Sequence, residues 1–230
     1  MKVSVIIPAV NENLVNELLF SIRLNTHIPN NILIINNTPT GRLKLIVPDL
    51  PLTTYISGNF MGTNECWRRG IATLPKDTDI VCILNDDLYL NPLFFKKLIS
   101  AVEKTDNSCS VLVPAIKSFP ELKRVSMGLN NLRCAAKRSG YAMCMKKSFL
   151  DAAPVIPKPL KIFYGDDWYF QISKTMGLHW VEMVDNPVFH YVGFTASQNL
   201  RETRKQREIE KHIFKKEFQK WLSHRPTVQI

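Results

Sequence analysis

The apolar run Ile80-Val81-Cys82-Ile83-Leu84 empties into an amide and two carboxylates, Asn85-Asp86-Asp87. A run of this length and β-branched content suits a buried strand. Carboxylates delivered at the C-terminal edge of such a strand are where an α/β protein would hold a divalent metal. The same three residues also make a good turn, and Asn91-Pro92 follows as a helix start. Both readings stand on these residues alone, so the rest of the chain must decide.

The elements that would position the acids alternate regularly in the first half. Strand character over Val3–Pro8, Ile32–Ile35, Ile80–Leu84 and Ser110–Ala115 alternates with helical spacing over Asn11–Asn25, Gly62–Leu74 and Pro92–Val102. This βαβ pattern predicts an α/β fold with a mostly parallel central sheet flanked by helices. From Lys117 to Arg138 the periodicity loosens into a basic stretch. A strand is then expected over Gly140–Met145, a short helix over Lys146–Asp151, and a helix running from the Phe163–Phe170 segment to Met176, stopped by Gly177. His179–Val184 and Pro187–Val192 read as two short strands. Beyond about Asn199 the chain reads as a charged helix with an apolar stripe of Ile209, Ile213, Phe214, Phe218, Trp221 and Leu222.

The 230 residues suffice for one large domain with a small appendage. The five cysteines, Cys66, Cys82, Cys109, Cys134 and Cys144, are odd in number and lack CxxC spacing. Three of them sit inside apolar segments, which suggests reduced core residues and neither a disulfide framework nor a zinc site. No apolar run approaches the roughly 18 residues that span a bilayer, and the first residues read as a core strand, so a cytoplasmic location is expected. The net charge of +10 is unevenly spread: residues 114–161 carry ten Lys/Arg against two Asp/Glu, and residues 201–230 nine against four. Such an excess favours a polyanionic partner or an acidic membrane surface over a merely solvated face.

Five segments in order carry a likeness to a known family. They are Val3-Ser-Val-Ile-Ile-Pro8-Ala-Val-Asn11-Glu; Ile32-Leu-Ile-Ile-Asn36-Asn37; Asn59-Phe-Met-Gly62 with Gly70-Ile71; Asn85-Asp86-Asp87; and, in the second half, Gly140-Tyr-Ala-Met with Tyr164-Gly165-Asp166-Asp167-Trp168 and the terminal Val188-Phe-His190-Tyr-Val-Gly193. With them the chain resembles the family-2-like glycosyltransferases of the GT-A fold, enzymes that move a sugar from a nucleotide diphosphate to an acceptor hydroxyl. The likeness covers about residues 3–195. It implies a GT-A domain over 1–198, with a nucleotide-sugar donor half (1–113) and an acceptor half (114–198), followed by a basic amphipathic C-terminal helix (199–230).

The resemblance also implies roles. Pro8, Asn11, Asn36, Asn59, Gly62, Asn85 and Asp86 fall on donor-binding positions, with Asn36 where the family usually has an aspartate near the nucleobase. Asp87 and His190 fall on the metal site, and Asp167 on the base that deprotonates the acceptor, with Asp166 beside it. Trp168 is placed to stack on a sugar or base. Mn²⁺ or Mg²⁺ is expected, since diphosphate oxygens and water complete a shell begun by one or two protein ligands, and imidazole tilts the choice toward Mn²⁺. A single base and direct attack predict inversion at the anomeric carbon. The plainer roles are helix-dipole partners for Asp166 and Asp167, a core histidine for His190, and turn residues for Asn59 and Gly62.

A nucleotide sugar alone does not call for the basic excess of the second half, whereas a phosphate backbone would. The expected acceptor is therefore a nucleic acid, for example a hydroxymethylated base in viral DNA, with Arg133, Lys137 and Arg138 on its path. A surface polysaccharide or lipid-linked glycan is the alternative, with the basic helix resting on an anionic membrane. A non-catalytic nucleic-acid-binding module is the reading from a different class, opposed by four acids that would repel phosphate unless a cation is bound.

Overall fold

The computed structural model describes residues 1–46, 49–56, 60–122, 124–125, 128, 131–135, 140–191 and 200–224, with 52–56 and 200–202 described as backbone only. β1 (Val3–Ala9) is buried along its whole length, as its run of Val and Ile dictates. α1 (Glu12–Arg23) follows, and β2 (Asn31–Asn36) and β3 (Leu52–Ile56) add to β1 in parallel, giving the order β3-β2-β1. α2 (Thr63–Ala72) leads to β4 (Ile80–Leu84), which joins the other side of β1, also in parallel. The period of two along β1 sends Val3, Val5, Ile7 and Ala9 into one core with Leu18, Leu19 and Ile22 of α1. Ile6 points into the opposite core with Cys66 and Trp67 of α2. Gly70 lets α2 sit this close, because a side chain there would meet Ile6 Cγ2 at 2.5 Å.

Beyond β4 the sheet changes character. The next elements are β5 (Leu88–Leu90), α3 (Phe94–Lys104), β6 (Cys109–Ile116), α4 (Phe119–Leu122), β7 (Leu132–Cys134), β8 (Ala142–Lys146), α5 (Lys147–Ala152), α6 (Gly165–Thr175) and β9 (His179–His190). β8 lies antiparallel between β4 and β6, while β6 pairs with β9 in parallel. β5 and β7 both pair antiparallel with β9. The parallel sheet expected from the βαβ rhythm thus holds through β3-β2-β1-β4 and gives way to mixed pairing where the helical rhythm fades. The two halves share one sheet, and the division at residue 113 falls inside β6.

The two strands expected after His179 are a single β9 whose register against β6 shifts between Pro114 and Ile116. Buried side chains hold the irregular stretch: Asn91 Nδ2 donates to Asn186 Oδ1 and to the Pro187 carbonyl at 2.9 and 2.8 Å. The shift carries β9 onto β5, where His190 pairs with Leu88. α7 (Leu200–His224) is the last described element, and its Ile213, Phe214, Phe218 and Trp221 pack on the core built around α2 and α6. All five cysteines are free, four of them buried and Cys134 exposed. No helix among the described residues is long and apolar enough to cross a membrane.

Candidate functional site

The acids at the end of β4 meet the end of β1. The Val10 and Asn11 N–H groups donate to Asp86 Oδ2 at 2.6 and 2.7 Å. Burial pushes the Asp86 carboxyl up to about 6; the two N–H groups pull against this and the charge of Asp87 adds to it. Asn11 itself is the N-cap of α1, its Oδ1 accepting from Asn13 and Leu14 N–H at 3.0 and 3.2 Å.

Asp87 points elsewhere. Its Oδ2 lies 3.2 Å from His190 Nε2, brought there by the β5–β9 pairing, and its Oδ1 is buried with no hydrogen-bond partner. A ring from the same half of the chain stacks on the imidazole: Tyr141 lies 4.9 Å from His190, centroid to centroid, at 28°. The Tyr141 hydroxyl donates to the Pro114 carbonyl at 3.0 Å, which fixes the ring and with it the histidine plane. A buried carboxylate oxygen left without a donor is costly, and it is the kind of hard ligand a divalent cation takes. Asp87 and His190 therefore fit such an ion. Among the described residues no group of three or more His, Cys, Asp or Glu side chains forms a fuller cage.

Beside these acids lies a cavity of about 730 Å³ lined by Pro8, Asn37, Gly62, Asn85, Asp86, Lys161, Phe163 and Gln206, among others. Its size is that of a small-molecule site. Of the residues expected to bind donor, Pro8, Gly62, Asn85 and Asp86 line it, while Asn11 and Asn36 do not appear among its described walls. Asn36 is spent on its own loop: it accepts from the Thr38 N–H and hydroxyl at 3.0 and 2.7 Å and donates to the Gly41 carbonyl at 2.8 Å. Its neighbour Asn37 takes the place facing the cavity, with Oδ1 accepting from the Met61 N–H at 2.7 Å and a buried Nδ2 that has no partner. Gly62 is held at φ 85°, and a Cβ there would meet the Lys161 carbonyl at 2.6 Å, so the α2 N-terminus and the 161–163 loop touch through a residue that must be glycine.

The acids expected on the acceptor side stand on the first turn of α6. Asp166 and Asp167 are half-buried there, behind Tyr164, which caps the helix in the left-handed region at φ 63°. The Asp166 carboxylate lies against Gly140, where an added Cβ would meet its Oδ2 at 2.9 Å, so the α6 start reaches the segment that carries Tyr141. Trp168 is not available to a ligand, against expectation. It is 2% exposed, its Nε1–H donates to the Pro154 carbonyl at 3.0 Å, and Phe214 and Phe218 pack against its ring. The helical period turns it away from its two acidic neighbours and into the core.

Arg133 is exposed on β7 and paired with Glu182 at 2.7 Å, which neutralises much of its pull on an acceptor. Lys137, Arg138, Asn59 and the Val192-Gly193 segment lie outside the described residues. Two residues, one lining the cavity and one behind its wall, are not marked by the sequence. Asn37 was hidden behind Asn36, since only the pleat tells which of two adjacent amides faces the ligand side. Glu210 of α7 is fully buried yet sits among exposed charges in sequence, and nothing in its local pattern marks it.

The fold and this arrangement define a nucleotide-sugar transferase architecture of the GT-A type. Residues 4–146 match the model for glycosyl transferase family 2, and the chain belongs to that family. Among solved structures, TarS 1-349 of S. aureus superposes with a TM-score of 0.60 at 15% identity, over 83% of this chain and 60% of that one. GalNAc-T7, solved with UDP, GalNAc and Mn²⁺, superposes with a TM-score of 0.61 at 14% identity, over 82% of this chain and 43% of that one. TarS 1-349 in complex with UDP gives 0.57 at 15% identity, over 82% and 59%. At these identities the likeness is one of fold, and the chain spans less than two thirds of the length of these neighbours. A comparison with curated protein sequences gave no match.

Proposed function

We propose that this chain is a metal-dependent, inverting glycosyltransferase that takes a sugar from a nucleoside diphosphate and places it on a hydroxyl of a polyanionic acceptor, nucleic acid first among these. The observation that carries the catalytic part is Asp87: a buried carboxylate with one oxygen on His190 and the other without a partner, adjacent in the chain to Asp86, which lines a cavity of nucleotide size. Asp87 and His190 would hold Mn²⁺ or Mg²⁺, which when bound offsets the negative charge that develops on the departing diphosphate. The neighbours TarS and GalNAc-T7, crystallised with UDP and with UDP, GalNAc and Mn²⁺, support this choice of donor and ion.

The remaining steps belong to the protein. Pro8, Asn37, Gly62, Asn85 and Asp86 would form the donor wall, with Nδ2 of Asn37, which has no partner, as the donor nearest to hand for the nucleobase or ribose. Asn59 is assigned to the same wall by the family motif. Asp167 accepts the proton of the acceptor hydroxyl as its oxygen bonds to the anomeric carbon and the sugar–diphosphate bond breaks on the opposite face, which inverts the configuration. Asp166, seated against Gly140, steadies the helix start that carries Asp167.

Charge supports the acceptor class. The exposed face of α7 carries Lys205, Lys211, Lys215, Lys216 and Lys220, while most of its apolar stripe is packed on the body. A helix so packed has little apolar face left to insert in a bilayer, which favours a soluble polymer over a membrane-borne acceptor. The test is sugar transfer to hydroxymethylated DNA from a panel of nucleotide sugars with Mn²⁺, read by mass. Transfer that falls steeply with salt is expected; equal activity on small neutral acceptors, without salt dependence, would overturn the polyanion assignment.

A further inference from the structure

Among the described residues of the C-terminal helix, Glu210 is the one charged side chain that is fully buried. Its carboxylate accepts from three consecutive backbone N–H groups: Lys161 at 3.2 Å, Ile162 at 3.1 Å and Phe163 at 2.8 Å to Oε2. The Gln206 amide, one turn earlier on α7, donates to the other oxygen at 2.7 Å. Successive N–H groups converging on one point form an anion nest, and here the anion is built into the chain. Bonds of this kind, to an ionised acceptor away from water, are about twice as strong as neutral ones.

The segment so held is a wall of the cavity. Lys161, Ile162 and Phe163 line it, as do Thr203 and Gln206 of α7. On its far side the segment grips the α2 N-terminus: the Asn64 N–H donates to the Lys161 carbonyl at 2.9 Å, and Asn64 Nδ2 to the Phe163 carbonyl at 2.8 Å. It runs directly into Tyr164, whose left-handed backbone starts the helix bearing Asp166 and Asp167. A bulky residue is strained there, and α7 supplies the support, Phe214 stacking on the Tyr164 ring at 5.6 Å and 24°. Arg207 covers the Phe163 ring at 5.7 Å. Three residues of α7 thus hold four consecutive residues between the donor cavity and the acceptor-side acids.

We infer that Glu210 is a positioning residue of the donor site, and that α7 completes the cavity in addition to any part it plays in holding the acceptor. The inference rests on the proposed donor cavity. Glu210 fixes the 161–163 wall by its charge, and it fixes the Gln206 amide by accepting from its nitrogen, which leaves the Gln206 carbonyl oxygen as the group available to a ligand. An isosteric amide at 210 keeps one oxygen for the three N–H groups, but it removes their charged acceptor and sets an NH2 against the Gln206 amide, a second donor, so the wall and Gln206 are held less firmly without loss of volume.

The test uses the full chain and the probes UDP and GDP, each with Mn²⁺, in titration calorimetry below the melting temperature of every variant. Wild-type protein is expected to bind at least one probe, and Glu210→Gln to bind it at least about tenfold more weakly, the loss of roughly one charge-assisted hydrogen bond. Glu210→Ala empties the nest, and formate added to that variant is expected to restore affinity, a rescue that the occupied site of the Gln variant does not show. If Glu210→Ala fails to fold, the isosteric Gln variant decides alone. Wild-type affinity in Glu210→Gln, with the parent protein binding normally, would overturn the positioning role and leave the donor cavity intact. Absence of binding by the parent protein to both probes would overturn the cavity assignment and the positioning role together.

Discussion

Asp87→Asn separates a metal ligand from a structural acid because the two roles predict opposite signs of stability change. In the folded chain Asp87 is buried, one oxygen touches His190 at 3.2 Å and the other has no partner. Its charge also pushes on Asp86, a carboxyl raised mainly by burial. The amide keeps the shape and still offers an oxygen to His190, while it removes a buried charge with an unmet oxygen, a group whose desolvation costs about 1–3 kcal/mol or more. Without metal the variant should therefore be as stable as its parent or more stable by about 1 kcal/mol, roughly 2–4 °C in melting temperature for a chain of this size. Ligand reverses the order. With Mn²⁺ and UDP near 100 times their joint Kd, wild-type protein gains about 2.7 kcal/mol, some 5–11 °C, and the variant gains almost nothing. Turnover of a sugar nucleotide should fall at least about a hundredfold, because the ion's stabilisation of the leaving group is worth several kcal/mol. Thermal melts of both proteins, with and without ligand, give all four numbers. A metal-free variant that melts several degrees below its parent, or one that retains the ligand-induced gain, would refute the reasoning.

Three more outcomes follow from the geometry. Asp167→Asn should lower transfer about 10²–10⁴-fold with nucleotide affinity preserved, as expected of a general base, and single-turnover kinetics beside calorimetry will separate the two effects. Gly62→Ala combines a backbone at φ 85° with a contact of 2.6 Å to the Lys161 carbonyl, so it should cost about 2–4 kcal/mol in urea unfolding and open the donor cavity. Trp168→Ala should destabilise by about 3–5 kcal/mol, the range for emptying a buried aromatic site, and leave acceptor KM unchanged at temperatures where the variant is folded.

The fold of the first half was legible because its signals are redundant. β1 and β4 are continuous apolar runs, and the residues closing each strand, Pro8 to Asn11 and Asn85 to Asp87, converge where parallel neighbours end together. His190 was legible from its motif, but the link to Asp87 depends on a β9 that crosses an irregular register and joins β5, a three-residue strand too short to announce itself. Trp168 misled because an aromatic beside paired acids looks like a stacking platform, and only packing shows that its ring fills the core against α7. Glu210 was illegible for a related reason. An acid in a lysine-rich amphipathic helix reads as a solvated partner, and its burial arises from a loop about 50 residues earlier in the chain. Asn37 shows the finest limit, since a one-residue choice between adjacent amides is a choice of sheet face.

The most direct measurement of the central claim is release of nucleoside diphosphate from a panel of nucleotide sugars, with hydroxymethylated DNA as acceptor, in Mn²⁺ and after chelation by EDTA. The predicted result is acceptor-stimulated release with at least one sugar nucleotide, a product of inverted anomeric configuration, and loss of activity on chelation or in Asp87→Ala. Turnover that survives both chelation and Asp87→Ala would contradict the account.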